Sequence, residues 1–175
     1  MMPWGHFLVA AIPFSLYLFL RHRTKPTGMA VLLLLLGTQF PDLVDKPLAW
    51  RFDVLVNGRI FMHSLVFALP ISTLVLFFAW RSDQLQLGGV FVYGHLMHIV
   101  GDFYSVFLCS TARIPNNMFW PLLPHQPVVK PEFVEQPSLL VLSTWDLVLI
   151  VTGAVLVGYA CLDVARAAYG YSSSS

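Results

Sequence analysis

Charged residues are scarce in this sequence. Only 11% of its 175 residues are Asp, Glu, Lys or Arg, whereas 57% are apolar or aromatic. A soluble domain carries roughly 25% charged residues, so the charge here is less than half of the ordinary share. The apolar residues come in runs, and the mean hydropathy is +0.72. This composition excludes a disordered chain and indicates an integral membrane protein.

Cysteine is rare, and neither sign of charge dominates. Ten Lys and Arg residues against nine Asp and Glu residues leave a net charge of +1. The chain therefore lacks the basic stripe of a nucleic-acid-binding domain. Its two cysteines, Cys109 and Cys161, lie far apart in the sequence and form no C-x-x-C pair. That pattern excludes a disulfide scaffold and argues against a zinc site built on thiolates.

Five apolar segments approach the roughly 20 residues that a helix needs to cross a bilayer. They cover residues 4–20, 28–40, 60–80, 87–108 and 139–162. We therefore predict an all-α polytopic membrane helix bundle of about five transmembrane helices, with four as the alternative count. The Pro- and Asn-containing stretch 109–138 predicts an interfacial or re-entrant loop. We expect a single membrane-embedded domain over residues 1–171 and a disordered polar tail over 172–175.

Basic residues decide the predicted orientation. Arg21, Arg23 and Lys25 form the densest basic stretch, which the positive-inside rule places in the cytoplasm. Counted over all loops, the two sides carry five basic residues each, so the orientation depends on this one loop. We predict a multi-pass protein of the plasma membrane with an external N-terminus. The first segment lacks a basic start and a small-residue cleavage site, so we expect it to remain in the mature protein.

Ionisable residues gather at one end of the predicted bundle. Because consecutive spans run in opposite directions, the start of one segment and the end of the next lie in the same leaflet. The residues that this rule brings together are His6, Asp42, Asp45, His63, His98, Asp102 and Asp146. Buried Asp and His are costly in a membrane and usually face a bundle interior or a cavity with partners. We therefore predict the functional site at this end.

The spacing of these residues favours a metal site. His98 and Asp102 are four residues apart and share one helical face, where they can hold one divalent cation. Pro41 is predicted to end the second helix, which leaves Asp42 and Asp45 on non-helical backbone, free to reach inward. Imidazoles with carboxylates and no thiolate suit zinc, manganese or iron better than calcium or copper(I).

Each candidate also has a purely structural interpretation. His98 and Asp102 could form a hydrogen bond between helices, but the functional role of most intramembrane charges favours ligands. Asp45 could equally pair with Lys46 at the surface or orient a ligand. We expect His95, one turn before His98 on the same helix, to line the site rather than to ligate. Asp146 is a candidate partner for a ligating histidine, or for Arg113 or Lys130.

The motifs resemble those of the YdjM-like, LexA-regulated membrane-bound metal-dependent hydrolases. The matching pieces are His6, the Pro41, Asp42 and Asp45 element, the Arg59, His63 and Ser64 element, the Gly94, His98 and Asp102 helix, and Phe-Trp-Pro-Leu at 119–122. Two residues separate the acids Asp42 and Asp45, where typical members have one, and His95 has no counterpart. The His/Asp pattern is also similar to that of zinc-dependent phospholipase C and the related single-strand nucleases.

This resemblance implies hydrolysis of a phosphoester, and the membrane setting favours a lipid-linked substrate. The implied metal ligands are His6, Asp42, His63, His98 and Asp102, which would hold one or two ions, with zinc ahead of manganese or iron. In that interpretation Asp42 or Asp102 doubles as the general base. Arg59, expected one helical turn before His63, clamps the phosphate. Trp120, in the aromatic loop 116–120, helps to admit a headgroup from the membrane lipids, which are the expected partners. The site then faces the external side.

Two other function classes use the same residues. A transporter or proton/metal conduit also needs intramembrane His and Asp. It would need them in both halves of the bundle, whereas the opposite leaflet offers ionisable groups only at its edge, namely Arg21, His22, Arg81, Asp163 and Arg166. A haem-bearing subunit could use His63 and His98 as axial ligands, but the neighbouring acids would then have no role.

Overall fold

The fold is an all-α bundle. A computed structural model describes residues 3–104, 116–124 and 144–172, with side chains to residue 169. Within these ranges the elements are α1 (Pro3–His22), α2 (Gly28–Trp50), α3 (Leu65–Arg81), α4 (Leu85–Asp102), a single 3-10 turn (Asn116–Phe119) and α5 (Thr144–Ser172), without a strand. The predicted helical membrane fold is confirmed.

Three of the helices are long and apolar enough to cross a membrane. They are α1, α2 and the Thr144–Tyr169 part of α5. The apolar helix α3 has 17 residues and measures about 26 Å, a little less than the roughly 30 Å hydrocarbon core. The fourth helix carries His95, His98 and Asp102 in its second half. The five predicted segments thus correspond to five helices, of which three satisfy the length and composition of a span.

Helix α2 does not end at Pro41. It continues through Pro41 and Pro47 to Trp50, so the expectation that Asp42 and Asp45 lie on non-helical backbone was wrong. A proline removes one helical hydrogen bond, but neighbouring helices compensate this loss inside membrane proteins. Here the extension is anchored by Asp45, whose carboxylate accepts hydrogen bonds from a distant loop. Tertiary contacts therefore outweigh the local break.

Helix α3 begins later than predicted. It starts at Leu65, because the Ser64 hydroxyl accepts a hydrogen bond from the Val66 N–H at 3.2 Å and caps the helix. Residues 51–64 are therefore a non-helical connection. His63 lies just before the helix, and the expectation that Arg59 precedes it by one helical turn was wrong.

Two glycines let α2 and α4 approach closely. A Cβ at Gly37 would lie 2.3 Å from the Phe91 carbonyl oxygen, and one at Gly94 would lie 2.8 Å from that of Leu34. Contacts as short as these admit no side chain, so the two backbones meet directly. The crossing includes Thr38, the residue after Gly37, and lies one turn before His98 on α4, so it brings Thr38 and His98 together.

Two acids fasten α5 to the bundle. The Trp4 indole N–H donates to Asp146 at 3.2 Å, and the Gly28 N–H donates to Asp163 at 2.7 Å. Asp146 thus contacts Trp4, whereas its suggested partners Arg113 and Lys130 lie outside the described residues. Most of the predicted loop 109–138, the start of the fifth segment and residues 173–175 also lie outside them, while Ser172, assigned to the tail, is the last residue of α5.

The apolar core occupies the middle of the bundle. Its buried members are Phe7, Leu8, Ala10, Ala11, Val31, Leu34 and Ala160. Along α1, α2 and α4, the candidate His and Asp residues all lie on one side of this layer. Arg21 at the end of α1 and Arg23 and Lys25 in the α1–α2 connection lie on the other side.

Candidate metal centre

Four buried side-chain atoms converge at one end of the bundle. They are Nε2 of His63, Nε2 of His98, Oδ1 of Asp42 and Oδ2 of Asp102, hereafter the four-atom cluster. Nε2 of His63 lies 3.0 Å from that of His98, 3.6 Å from the Asp42 oxygen and 3.4 Å from the Asp102 oxygen. Nε2 of His98 lies 3.9 and 3.8 Å from the same two oxygens. Neighbouring ligands of a tetrahedral zinc ion are about 3.3 Å apart, given bonds of about 2.0–2.1 Å, so the cluster has the size of a metal site.

The two histidines are oriented with their Nε2 atoms toward the cluster. His98 donates its Nδ1 proton to the Thr38 carbonyl at 2.5 Å, and His63 donates its own to Asp45 at 2.8 Å. A neutral imidazole protonated at Nδ1 carries a lone pair on Nε2. Two such lone pairs 3.0 Å apart repel unless a proton or a metal ion lies between them. A carbonyl or carboxylate on the far nitrogen is the usual support of a metal-binding histidine.

One oxygen of the cluster has no hydrogen-bond donor among the described residues. Oδ1 of Asp42 is buried and accepts no hydrogen bond from any described residue, although Oδ2 of the same carboxylate holds Lys46. An unsatisfied buried carboxylate oxygen is costly. A cation in the cluster would remove that cost, so these residues fit a divalent metal ion.

His6 joins the cluster from α1. Its Nε2 lies 3.2 Å from Oδ1 of Asp102, and its ring stacks on that of His98 with centroids 3.9 Å apart. His6, His98 and Asp102 form a second group able to hold an ion, beside the group of Asp42, His63 and His98. The two oxygens of Asp102 face the two groups, as those of a bridging carboxylate do.

Asp45 holds the loop that carries His63. Its fully buried carboxylate accepts the backbone N–H groups of Phe61 at 3.0 Å, Met62 at 2.8 Å and His63 at 3.4 Å, besides the His63 ring. These contacts decide between the two interpretations of Asp45 that the sequence left open. Asp45 orients a candidate ligand, and Lys46 pairs with Asp42 instead.

His95 supports the same loop from α4. It is fully buried, and its Nε2 donates to the Met62 carbonyl at 3.1 Å. Its ring also contacts Phe40 edge-on, with centroids 5.6 Å apart. His95 therefore lines the site without belonging to either candidate metal group of the described chain.

Trp120 is attached beside His63. The hydroxyl of Ser64 donates to the Trp120 carbonyl at 2.6 Å, and the Trp120 ring packs on Phe67 with centroids 5.7 Å apart. Segment 116–124 thus lies at the same end as the cluster. Asp146 lies at this end too, because its partner Trp4 is two residues from His6.

Arg59 and Lys46 bring positive charge to the cluster. Nε of Arg59 lies 3.1 Å from Oδ2 of Asp102, and the ammonium of Lys46 pairs with Oδ2 of Asp42. The role of Lys46 was missed from the sequence. The four-residue spacing of Lys46 from Asp42 would have predicted this ion pair if α2 had been expected to continue past Pro41.

The acids also favour positive charge on His63, which lies outside the spanning helices. Burial lowers the pKa of His63, but the carboxylates of Asp102, Asp42 and Asp45 close to its ring outweigh it and raise this pKa to about 10. The cluster therefore attracts a cation, whether a proton or a metal ion.

The fold and this site define a helical membrane protein with a buried His/Asp centre of the size of a metal site. The chain belongs to the YdjM inner membrane protein family, whose family model matches residues 1–170. The resemblance drawn from the sequence motifs is thus confirmed at the level of the family. No curated protein and no solved structure matches this chain.

Proposed function

We propose that this protein is a membrane-bound, metal-dependent hydrolase that cleaves a lipid-linked phosphoester. The observation that carries the proposal is the four-atom cluster, with its ligand-like separations and its oriented histidines. When bound, a divalent ion in such a site lowers the pKa of a water to near 7 and polarises a phosphoryl oxygen.

Zinc is the first choice of ion. The donor set of two imidazoles and two carboxylates suits zinc, with manganese or iron as alternatives. Asp42, His63 and His98 would hold one ion, with Asp102 beside them. His6, which faces the other oxygen of Asp102, would help to hold a second ion.

The protein's own residues supply proton transfer and substrate binding. Asp42 or Asp102 accepts the proton of the attacking water. Arg59 binds an oxygen of the phosphate, because its side chain is 43% exposed while its guanidinium still reaches the cluster. The Arg59 backbone is fixed by Asn57, whose side chain accepts the Arg59 N–H at 3.0 Å.

The substrate is proposed to come from the bilayer. The two segments beside the cluster, 51–64 and 116–124, expose apolar side chains, namely Phe52, Val54, Val56 and Leu122. Exposed apolar side chains next to a polar site are typical of a surface that contacts lipid. Because the basic α1–α2 connection lies at the opposite end, the positive-inside rule favours an external site.

The alternative of a proton or metal conduit finds less support. The apolar core of Phe7, Val31 and Leu34 separates the cluster from the other half of the bundle. Beyond it lies a mainly apolar cavity of about 940 Å³, with Lys25 and His22 in its wall. An ion leaving the cluster in that direction would have to cross the apolar layer.

Metal content tests the proposed function. The full chain, purified in detergent, is measured by mass spectrometry beside Asp102→Asn and the control Asp83→Asn, which changes an exposed acid after α3. We expect one or two equivalents of metal in the wild type and control, strong loss in Asp102→Asn, and hydrolysis of phospholipids or lipid phosphates only where metal is bound. A wild-type protein without metal, even after addition of zinc, manganese and iron, would contradict the proposal.

A further inference from the structure

Two cations flank the metal centre, one beside each of its carboxylates. Lys46 pairs with Asp42, and Arg59 pairs with Asp102. Both carboxylates reach His63, at 3.6 and 3.4 Å from its Nε2, so both cations border the same cluster. The Lys46 side chain is 24% exposed and that of Arg59 43%, whereas the His63 side chain is fully buried. The cations therefore mark the accessible edge of the site.

Lys46 can stay in place when an ion is bound. It holds Oδ2 of Asp42, while Oδ1 of the same carboxylate belongs to the four-atom cluster. The ammonium is thus separated from the cluster by one carboxylate group. Arg59, by contrast, contacts Oδ2 of Asp102, which is itself in the cluster. With an ion held at that oxygen, the Arg59 pair would be weaker, and the long, exposed arginine would be available to an anion.

The Trp50 ring lies between Lys46 and the loop that carries Arg59. The Lys46 ammonium lies over the Trp50 ring, 5.8 Å from its centre. The same ring faces Gly58, where a Cβ would lie 3.3 Å from it. Gly58 immediately precedes Arg59. The end of α2 and the loop that carries Arg59 are therefore packed together, which places Lys46 and the backbone of Arg59 at one edge.

We propose that Lys46 and Arg59 form an anion pocket that binds the terminal phosphate of the substrate and selects a phosphate monoester over a diester. The proposal deepens the hydrolase proposed above and rests on it for the metal ion. The ion, Lys46 and Arg59 would then offer three positive groups at one edge of the site. A monoester offers three non-bridging oxygens to these three groups, whereas a diester offers two, so the diester leaves one cation without a partner.

Inorganic phosphate is the probe that tests the pocket. The full chain, purified in detergent with zinc, is titrated with phosphate by calorimetry, and its zinc content is measured in parallel. The variants are Lys46→Gln, Lys46→Arg and the control Lys25→Gln at the opposite end of the bundle. We expect Lys46→Gln to weaken phosphate binding about tenfold or more at wild-type zinc content. Lys46→Arg should stay near wild type, and Lys25→Gln should bind as wild type does.

Three results would overturn the anion pocket. They are a wild type that binds no phosphate, a Lys46→Gln variant with wild-type phosphate affinity, and a Lys46→Gln variant that loses zinc together with phosphate. The last would show that Lys46 only stabilises Asp42.

A second measurement separates this inference from the hydrolase itself. The values of kcat/KM are compared for a monoester lipid and a diester lipid with identical acyl chains in micelles. A wild-type preference for the monoester that shrinks in Lys46→Gln supports the pocket, and a preference for the diester overturns its selectivity. If neither lipid is cleaved, the hydrolase fails for these lipids, while the phosphate titration still decides whether Lys46 binds an anion.

Discussion

Asp45 and His63 form the contact that orients the centre: the Nδ1 proton of the histidine is donated to the carboxylate at 2.8 Å. The two residues are 18 positions apart and lie on different elements, since Asp45 is in α2 and His63 lies just before α3. The same carboxylate also accepts the N–H groups of residues 61–63. One buried acid thus fixes the position of the loop and the tautomer of the ligand.

The first prediction concerns this contact. Asp45→Asn keeps the shape of the side chain but replaces one acceptor oxygen by an NH₂ group that cannot accept from the ring or the backbone N–H groups. We expect zinc affinity to fall about 10- to 100-fold, as is typical when the support of a ligating histidine is lost. Competition with a chelator measures this affinity. Asp53→Asn, which changes an exposed acid of the same connection, should leave it unchanged. Equal affinities for Asp45→Asn and wild type would show that Asp45 does not orient a ligand.

The second prediction concerns the crossing of α2 and α4. In Gly37→Ala the new methyl group would lie 2.3 Å from the Phe91 carbonyl oxygen, so the helices must separate. We expect a loss of about 1–3 kcal/mol of stability, the usual cost of overpacking, and weaker zinc binding because His98 moves from Thr38.

Gly89→Ala is the matched control for this change. It adds the same methyl group to α4 at a position with no atom within 4 Å. Thermal unfolding in detergent compares the two variants. If Gly37→Ala unfolds at the same temperature as Gly89→Ala and binds zinc with wild-type affinity, the close crossing does not position the site.

The gathering of the site at one end could be predicted from the sequence. Helices that cross a membrane must alternate in direction, so the positions of His6, His98 and Asp102 along their segments already fixed the leaflet. The shared face of His98 and Asp102 followed from helical periodicity. These predictions succeeded because they depend on the length and period of single elements.

The errors lie where distant contacts override local preference. Pro41 predicted a helix end, but the Asp45 contacts with the loop before α3 stabilise the helix beyond it. The late start of α3 did have a local signal, since Ser64 before an apolar run is a typical N-cap. The pairing of Lys46 with Asp42 could be predicted only if α2 was assumed to continue past Pro41. Side chains four residues apart lie together in a helix, and Pro41 predicted that the helix ends.

The last prediction follows from the raised pKa of His63. Its pKa of about 10 means that, at neutral pH and without a metal ion, the ring carries a proton on Nε2, which lies 3.0 Å from Nε2 of His98. A metal ion that binds Nε2 must displace this proton. We therefore expect zinc affinity to fall about tenfold for each pH unit below 10, and to become independent of His63 above that pH. Calorimetry in buffers of different ionisation enthalpy should detect about one proton released per ion near pH 6, where a water bound to the ion keeps its own protons. Zinc binding without proton release at that pH would show that His63 is already deprotonated, or that it does not ligate the ion.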